Sequence, residues 1–180
     1  MNTSNNTLIT ILIFSFFSFK SLSQTQIGQD IDGEAAGDHL GVSTSITNNG
    51  TIVAIGAAEN DGNGSNSGHV RIYKNISGIW VQQGSDIDGE FAGDGSGYSA
   101  SLSSDGSIVA IGAYLNDGNG LNSGHVRIYK NISGTWVQQG SDIDGEASND
   151  QSGVSVSLSS DGSIVAIGAY LNDGNGLNSG

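Results

Sequence analysis

The chain has 180 residues, 29 of them glycine, and its formal net charge is −13. So acidic a surface repels nucleic acid and anionic membranes, and both are excluded as partners. The chain contains no cysteine, which also excludes disulfides and thiolate zinc sites.

Residues 1–23 predict a secretory signal peptide. The apolar run Leu8–Phe19 is too short for a bilayer span, which needs about 20 residues, but it fits the hydrophobic region of a signal peptide. Ser21 and Ser23 are small residues at the positions that precede cleavage before Gln24. A membrane anchor and a buried segment are the alternatives. We expect residues 24–180 to be secreted or displayed at the cell surface, without membrane insertion once the signal is removed.

A repeat of 56 residues organises the remainder of the chain. Ser101–Gly124 recurs letter for letter at Ser157–Gly180, and a looser copy runs from Ile46 to Gly68. The units are 26–81, 82–137 and a truncated 138–180. A fixed period of this length is typical of a repeat architecture, in which each unit buries its apolar faces against its neighbours.

Each unit reads as four short strands, A to D. In the second unit, strand A is Tyr98–Ser103, strand B is Ser107–Ala113, strand C is His125–Lys130 and strand D is Thr135–Asp142. Asp105-Gly106 between strands A and B predicts a two-residue hairpin. Strand B is apolar on both faces and should be covered on both sides, whereas strands A and C alternate.

This pattern predicts an all-β fold, a partial β-propeller of four-stranded antiparallel blades with about two and a half blades present. A parallel β-solenoid and a sandwich of meanders are the alternatives. Because two and a half blades cannot close a ring, we expect the chain to be a fragment, with the remaining blades of a longer chain as partners.

The motifs resemble the FG-GAP repeat of integrin-α-type β-propellers. The resemblance rests on Gly93-Asp94, Gly97 and Ser99, then Asp105-Gly106, Val109–Ala113 and Gly124–Tyr129, and it extends over all three units. It implies a propeller blade and a calcium loop between strands A and B. That loop is reduced here to Ser103–Gly106, and one aspartate cannot supply the six to eight oxygens that calcium requires. The metal site of the family is therefore not carried over.

Acidic residues concentrate at one end of the predicted blades. Hairpin connections alternate ends, so the B–C and D–A loops share one end, and they contain all but two of the 18 acidic residues. Hard oxygen ligands suit calcium, which makes it the candidate cofactor. The weak calcium candidates are Asp86, Asp88, Glu90, Asp94, Asp117 and Asn119. The alternative is that Asp and Asn are simply good loop residues that keep the surface soluble.

Two residue types recur once per unit. His69 and His125 are equivalent, and we expect them to be structural, because a catalytic residue is rarely needed in every blade. Trp80 and Trp136 are expected to pack between blades.

The favoured function is a non-catalytic extracellular binding or adhesion module, with a protein or glycan ligand. The loop after each DIDGE sequence varies between the units, which agrees with a contact surface. An architectural spacer within a large surface protein is one alternative. A propeller enzyme whose site lies outside this sequence is the other, because no G-x-S-x-G motif and no local Ser, His and Asp grouping occurs here.

Overall fold

A computed structural model describes residues 25–180, and the predicted signal peptide lies outside these described residues. The described part consists of β-strands and turns, with no α-helix. It therefore contains no helix of the length and apolarity that a membrane crossing demands.

Three antiparallel sheets follow one another along the chain. The first contains β1 (Ser43–Ile46), β2 (Ile52–Ala57), β3 (His69–Ile76), β4 (Ile79–Gln82) and β5 (Ile87–Asp88). The second contains β6 (Ser96–Leu102), β7 (Ile108–Ala113), β8 (His125–Ile132), β9 (Thr135–Gln138) and β10 (Ile143–Asp144). The third contains β11 (Ser155–Leu158) and β12 (Val165–Gly168).

Strands pair in chain order within each sheet, β1-β2-β3-β4 in the first and β6-β7-β8-β9 in the second. The prediction of an all-β, partial propeller with four-stranded antiparallel blades is confirmed. Strand pairing divides the chain at the D–A connections. The sheets over residues 43–88 and 96–144 therefore each begin inside one sequence unit and end inside the next.

Strand D differs from its prediction as one continuous strand. It is broken into β9 and β10, which both pair with β8, at residues 129–132 and at residues 125–126. Gly140 lies between them with a φ of +76°, a left-handed conformation that favours glycine. Gln138 Nε2 donates to Asp142 Oδ1 over 2.6 Å and closes the bulge.

The A–B connection also differs from the predicted two-residue turn. It is a loop of four residues, because Ser103 N donates to Ile108 O. A two-residue type I′ turn needs positive φ at both central positions, and only Gly106, at +72°, has it. Asp105 Oδ1 accepts hydrogen bonds from Ser103 Oγ at 2.7 Å and Ser107 N at 2.9 Å, which fixes the longer loop.

The core lies between successive sheets. Val109 and Ile111 on β7 are 0% and 1% exposed, which confirms that strand B is covered on both faces. Leu102 is 8% exposed, but the equivalent Ile46 in the first unit is 60% exposed, because no described sheet covers that face. Burial of the shared sequence pattern therefore depends on the neighbouring blade.

Glycine allows the closest approach between blades. A Cβ on Gly56 would lie 1.9 Å from Gly97 O, and one on Gly112 would lie 2.0 Å from Gly153 O. Ser43 Oγ donates to Gly97 O, and Ser99 Oγ donates to Gly153 O, each over 2.7 Å. The Gly-x-Ser element at the start of strand A is thus a blade-to-blade contact.

Trp136 also joins two blades. Its Nε1 donates to Gln83 O, 53 residues earlier, over 2.7 Å, and its ring packs against the core. Trp80 makes the equivalent bond to Ile27 O at 3.0 Å. The prediction that both tryptophans pack between blades is confirmed.

Candidate functional site

The acidic loops meet at one end of the blades. Antiparallel pairing in chain order places the B–C and D–A loops together, opposite the A–B turns that carry Asp105 and Asp161. We call this end the loop rim, formed by residues 26–42, 58–68, 83–95, 114–124, 139–154 and 169–180.

Some rim carboxylates organise the loops. Asp94 is 4% exposed, and its Oδ2 accepts from Asn116 Nδ2 at 3.0 Å and from Phe91 N at 3.1 Å. Asp38 and Asp150 have the same contacts in the other two units. The Ala35 amide holds the pKa of Asp38 below its ordinary value. These aspartates link the D–A loop to the B–C loop within each unit.

The B–C loop candidates have structural contacts as well. Asp117 Oδ1 accepts from Asn122 N at 2.7 Å, and this bond stabilises the left-handed backbone of Asn122. Asn119 Nδ2 donates to the carbonyl oxygens of Gly145 at 2.8 Å and Glu146 at 3.1 Å. These two residues therefore fold the loop and attach it to the next D–A segment.

Two equivalent clusters combine a histidine with two carboxylates. In the first, ligand-capable atoms of Glu34, His69 and Asp86 all lie within 4.8 Å of one another. In the second, the same holds for Glu90, His125 and Asp142. In each cluster the histidine begins strand C, the aspartate lies in the bulge of strand D, and the glutamate comes from the D–A segment preceding that blade. We call them the first and the second histidine cluster.

An arginine lies beside each cluster. Arg127 Nη2 donates to Asp88 O over 2.8 Å, and Arg127 Nη1 is 3.4 Å from Glu90 Oε1. Arg71 is placed in the same way, against Asp32 and Glu34. Burial lowers the pKa of His125, and the charge of Arg127 adds to this effect although Asp142 opposes it. Burial also raises the pKa of Asp88, together with the charge of Asp86.

The six predicted calcium ligands are distributed over several places. Asp86 belongs to the first histidine cluster and Glu90 to the second, whereas Asp94, Asp117 and Asn119 bond within and between loops. Asp88 pairs at the end of strand C, where β5 meets His69. Calcium binding by these residues stays a prediction.

A cleft that sequence reasoning missed lies between the first two blades at the loop rim. It has a volume of about 410 Å³, and its lining includes His39, Glu59, Tyr98 and Tyr114. The two tyrosine rings stack, with centroids 4.2 Å apart and an interplanar angle of 39°. His39 Nδ1 is 3.0 Å from Glu59 Oε1.

A signal for this cleft exists in the sequence. All four residues occupy positions where the repeat copies differ: Tyr98 aligns with Val42 and Val154, and Glu59 aligns with Leu115 and Leu171. Comparison of the copies, position by position, would have selected them, because shared positions build the blade and differing positions are free for other roles.

Comparison with known proteins supports the repeat assignment. A search of curated proteins finds no match. Residues 141–180, which contain β11 and β12, match the family model of the FG-GAP repeat, so that the resemblance noted in the sequence is confirmed for this part of the chain.

Proposed function

We propose that the protein is a non-catalytic binding or adhesion module, secreted or displayed at the cell surface, that takes a protein or glycan ligand at the loop rim. The observation that carries this proposal is the cleft between the first two blades. Residues specific to single units converge there on an otherwise repetitive scaffold. A purely architectural spacer would need no such convergence.

The chemistry of the cleft suits a polar ligand with an apolar face. Tyr98 is 37% exposed and stacks on Tyr114, so the pair offers ring surface together with hydroxyl groups. Glu59 and His39 add a charged pair within hydrogen-bonding distance of each other. Sugars and peptide side chains both combine these features, and tyrosine is a common anchor at binding surfaces.

The arrangement of histidines favours binding over hydrolytic catalysis. Each of the three histidines faces a carboxylate: His39 faces Glu59, His69 faces Asp86 and His125 faces Asp142. A serine nucleophile would need its hydroxyl at the imidazole instead.

The proposal is tested with glycan and extracellular-protein arrays probed with the full chain. Tyr98→Val installs the residue that the other two units carry, so the blade should keep its fold, and we expect at least tenfold weaker binding. Tyr170→Val, at the equivalent of Tyr114 in the third unit, is the matched control and should bind like the wild type. Equal binding by Tyr98→Val and the wild type would refute the cleft, and no ligand on either array would favour a spacer.

Secretion is tested separately. FG-GAP repeats occur in extracellular proteins, which agrees with the predicted signal peptide. Expression of the full chain in a secreting host should give a mature protein whose N-terminus is Gln24. Retention of residues 1–23 in the exported protein would contradict the signal peptide.

A further inference from the structure

The buried histidines present an unexplained polar group in each of two blades. His69 and His125 are each 1% exposed, and neither ring nitrogen of either residue has a hydrogen-bond partner. Leaving a buried polar group unpaired costs about 1–3 kcal/mol. The cost arises twice, at positions that a packing residue such as leucine could fill without it.

The imidazole of each histidine points at carboxylates without bonding to them. His69 Nδ1 is 3.6 Å from Asp86 Oδ2, and His125 Nδ1 is 3.6 Å from Asp142 Oδ2, which is too long for a hydrogen bond. Glu34 and Glu90 complete the two clusters within 4.8 Å. One nitrogen and two carboxylate oxygens thus converge on the same small space in both blades.

This ligand set matches one class of metal ion. Imidazole nitrogen with carboxylate oxygen suits zinc and similar divalent transition metals, whereas calcium takes six to eight oxygens. Ligand atoms around tetrahedral zinc lie about 3.3 Å apart, given bonds of about 2.0–2.1 Å. Glu34 and Glu90 have side chains 49% and 36% exposed, so they can rotate the remaining distance toward the fixed imidazole.

We propose that each histidine cluster binds one zinc-class divalent ion through the histidine Nδ1 and the two carboxylates. The ion would attach the D–A segment before a blade to strands C and D of that blade. Burial favours the neutral imidazole in His125, and the neutral form is the one that ligates metal. Arg71 and Arg127 stay bonded to the carbonyl oxygens of Asp32 and Asp88 and offset part of the negative charge. This site is separate from the tyrosine cleft and does not depend on the proposed ligand.

The test is a calorimetric titration of the full chain with zinc chloride, and in parallel with calcium chloride. We expect two zinc ions per chain, and one ion in each of His69→Gln and His125→Gln. His39→Gln removes the exposed histidine and is the matched control, which should still bind two. Cobalt should give visible absorption bands of a nitrogen and oxygen site, and their intensity should halve in either single variant.

A second pair of variants separates metal binding from folding. The Asp86 and Asp142 side chains are 24% and 27% exposed, so Asp86→Asn and Asp142→Asn should keep the fold, checked by circular dichroism, and each should lose one zinc ion. The proposal is overturned if zinc binds with no defined stoichiometry, if the four variants bind two ions like the wild type, or if calcium alone is bound.

Discussion

Gly112 tests whether the blades stack as described. Its backbone is extended, so alanine is conformationally allowed, but the added Cβ would lie 2.0 Å from Gly153 O and 2.4 Å from Ser99 Oγ. The blade contact must open, and the 2.7 Å bond from Ser99 Oγ to Gly153 O is lost with it. Overpacking of this kind and one lost hydrogen bond together cost about 2–4 kcal/mol.

Gly168 is the matched control, because it occupies the same position in the third unit. There the added Cβ meets only the exposed Ser155, whose hydroxyl can rotate away. Alanine is intrinsically better than glycine within a strand by roughly 0.5–1 kcal/mol, and this gain applies to both variants. We therefore expect Gly168→Ala to be neutral or slightly stabilising, and Gly112→Ala to be the less stable variant by about 2–4 kcal/mol.

Urea unfolding followed by tryptophan fluorescence measures the difference, since Trp136 lies in the same blade as Gly112. For a chain of this size the gap corresponds to roughly 4–16 °C in melting temperature. Equal stability of the two variants within about 0.5 kcal/mol, the usual range for surface substitutions, would refute the close approach of the blades.

Two further predictions concern a tryptophan and a turn. Trp136→Phe removes the donor to Gln83 O and should destabilise by about 1–2 kcal/mol, more than Trp80→Phe, whose bond to Ile27 O is exposed. Urea midpoints measure both, and an equal or larger loss in Trp80→Phe would contradict the packing. Hydrogen bonds from Ser159 Oγ and from Ser163 lower the pKa of Asp161 from 3.8 to about 2. Because the folded pKa lies below the unfolded one, this carboxylate stabilises its turn above pH 3.8, and the contribution is lost as the pH falls toward 2. Nuclear magnetic resonance titration should place the midpoint near 2, and Ser159→Ala should raise it; a wild-type midpoint at 3.8 would disprove the turn geometry.

The blade could be predicted from sequence because its determinants are local. The period of 56 residues, the doubly apolar strand B and the turn residues all lie within one unit, and each strand was found within two residues at its N-terminal end. The break in strand D was missed because Gly140 reads as an ordinary strand interruption. Only its φ of +76° and the Gln138–Asp142 contact show that the strand resumes as β10.

The side-chain clusters could not be predicted because they form between units. Glu90 and His125 lie 35 residues apart and meet only when one blade stacks on the next. Counting acids in loops identified Asp86 and Glu90 but grouped them in one site, whereas stacking assigns them to different blades. Tyr98 and Tyr114 were read as a strand residue and a departure from the family motif, and their ring contact depends on how strands A and B register.

Inter-blade contacts recur at nearly constant sequence separation: 53 residues for each tryptophan bond and 54 for each serine bond. Each blade thus recognises only the one beside it, through atoms that every copy supplies. Such an array can gain or lose whole units of 56 residues without any side chain needing a new partner. Changes in gene length of that step should be tolerated far more readily than insertions of any other size.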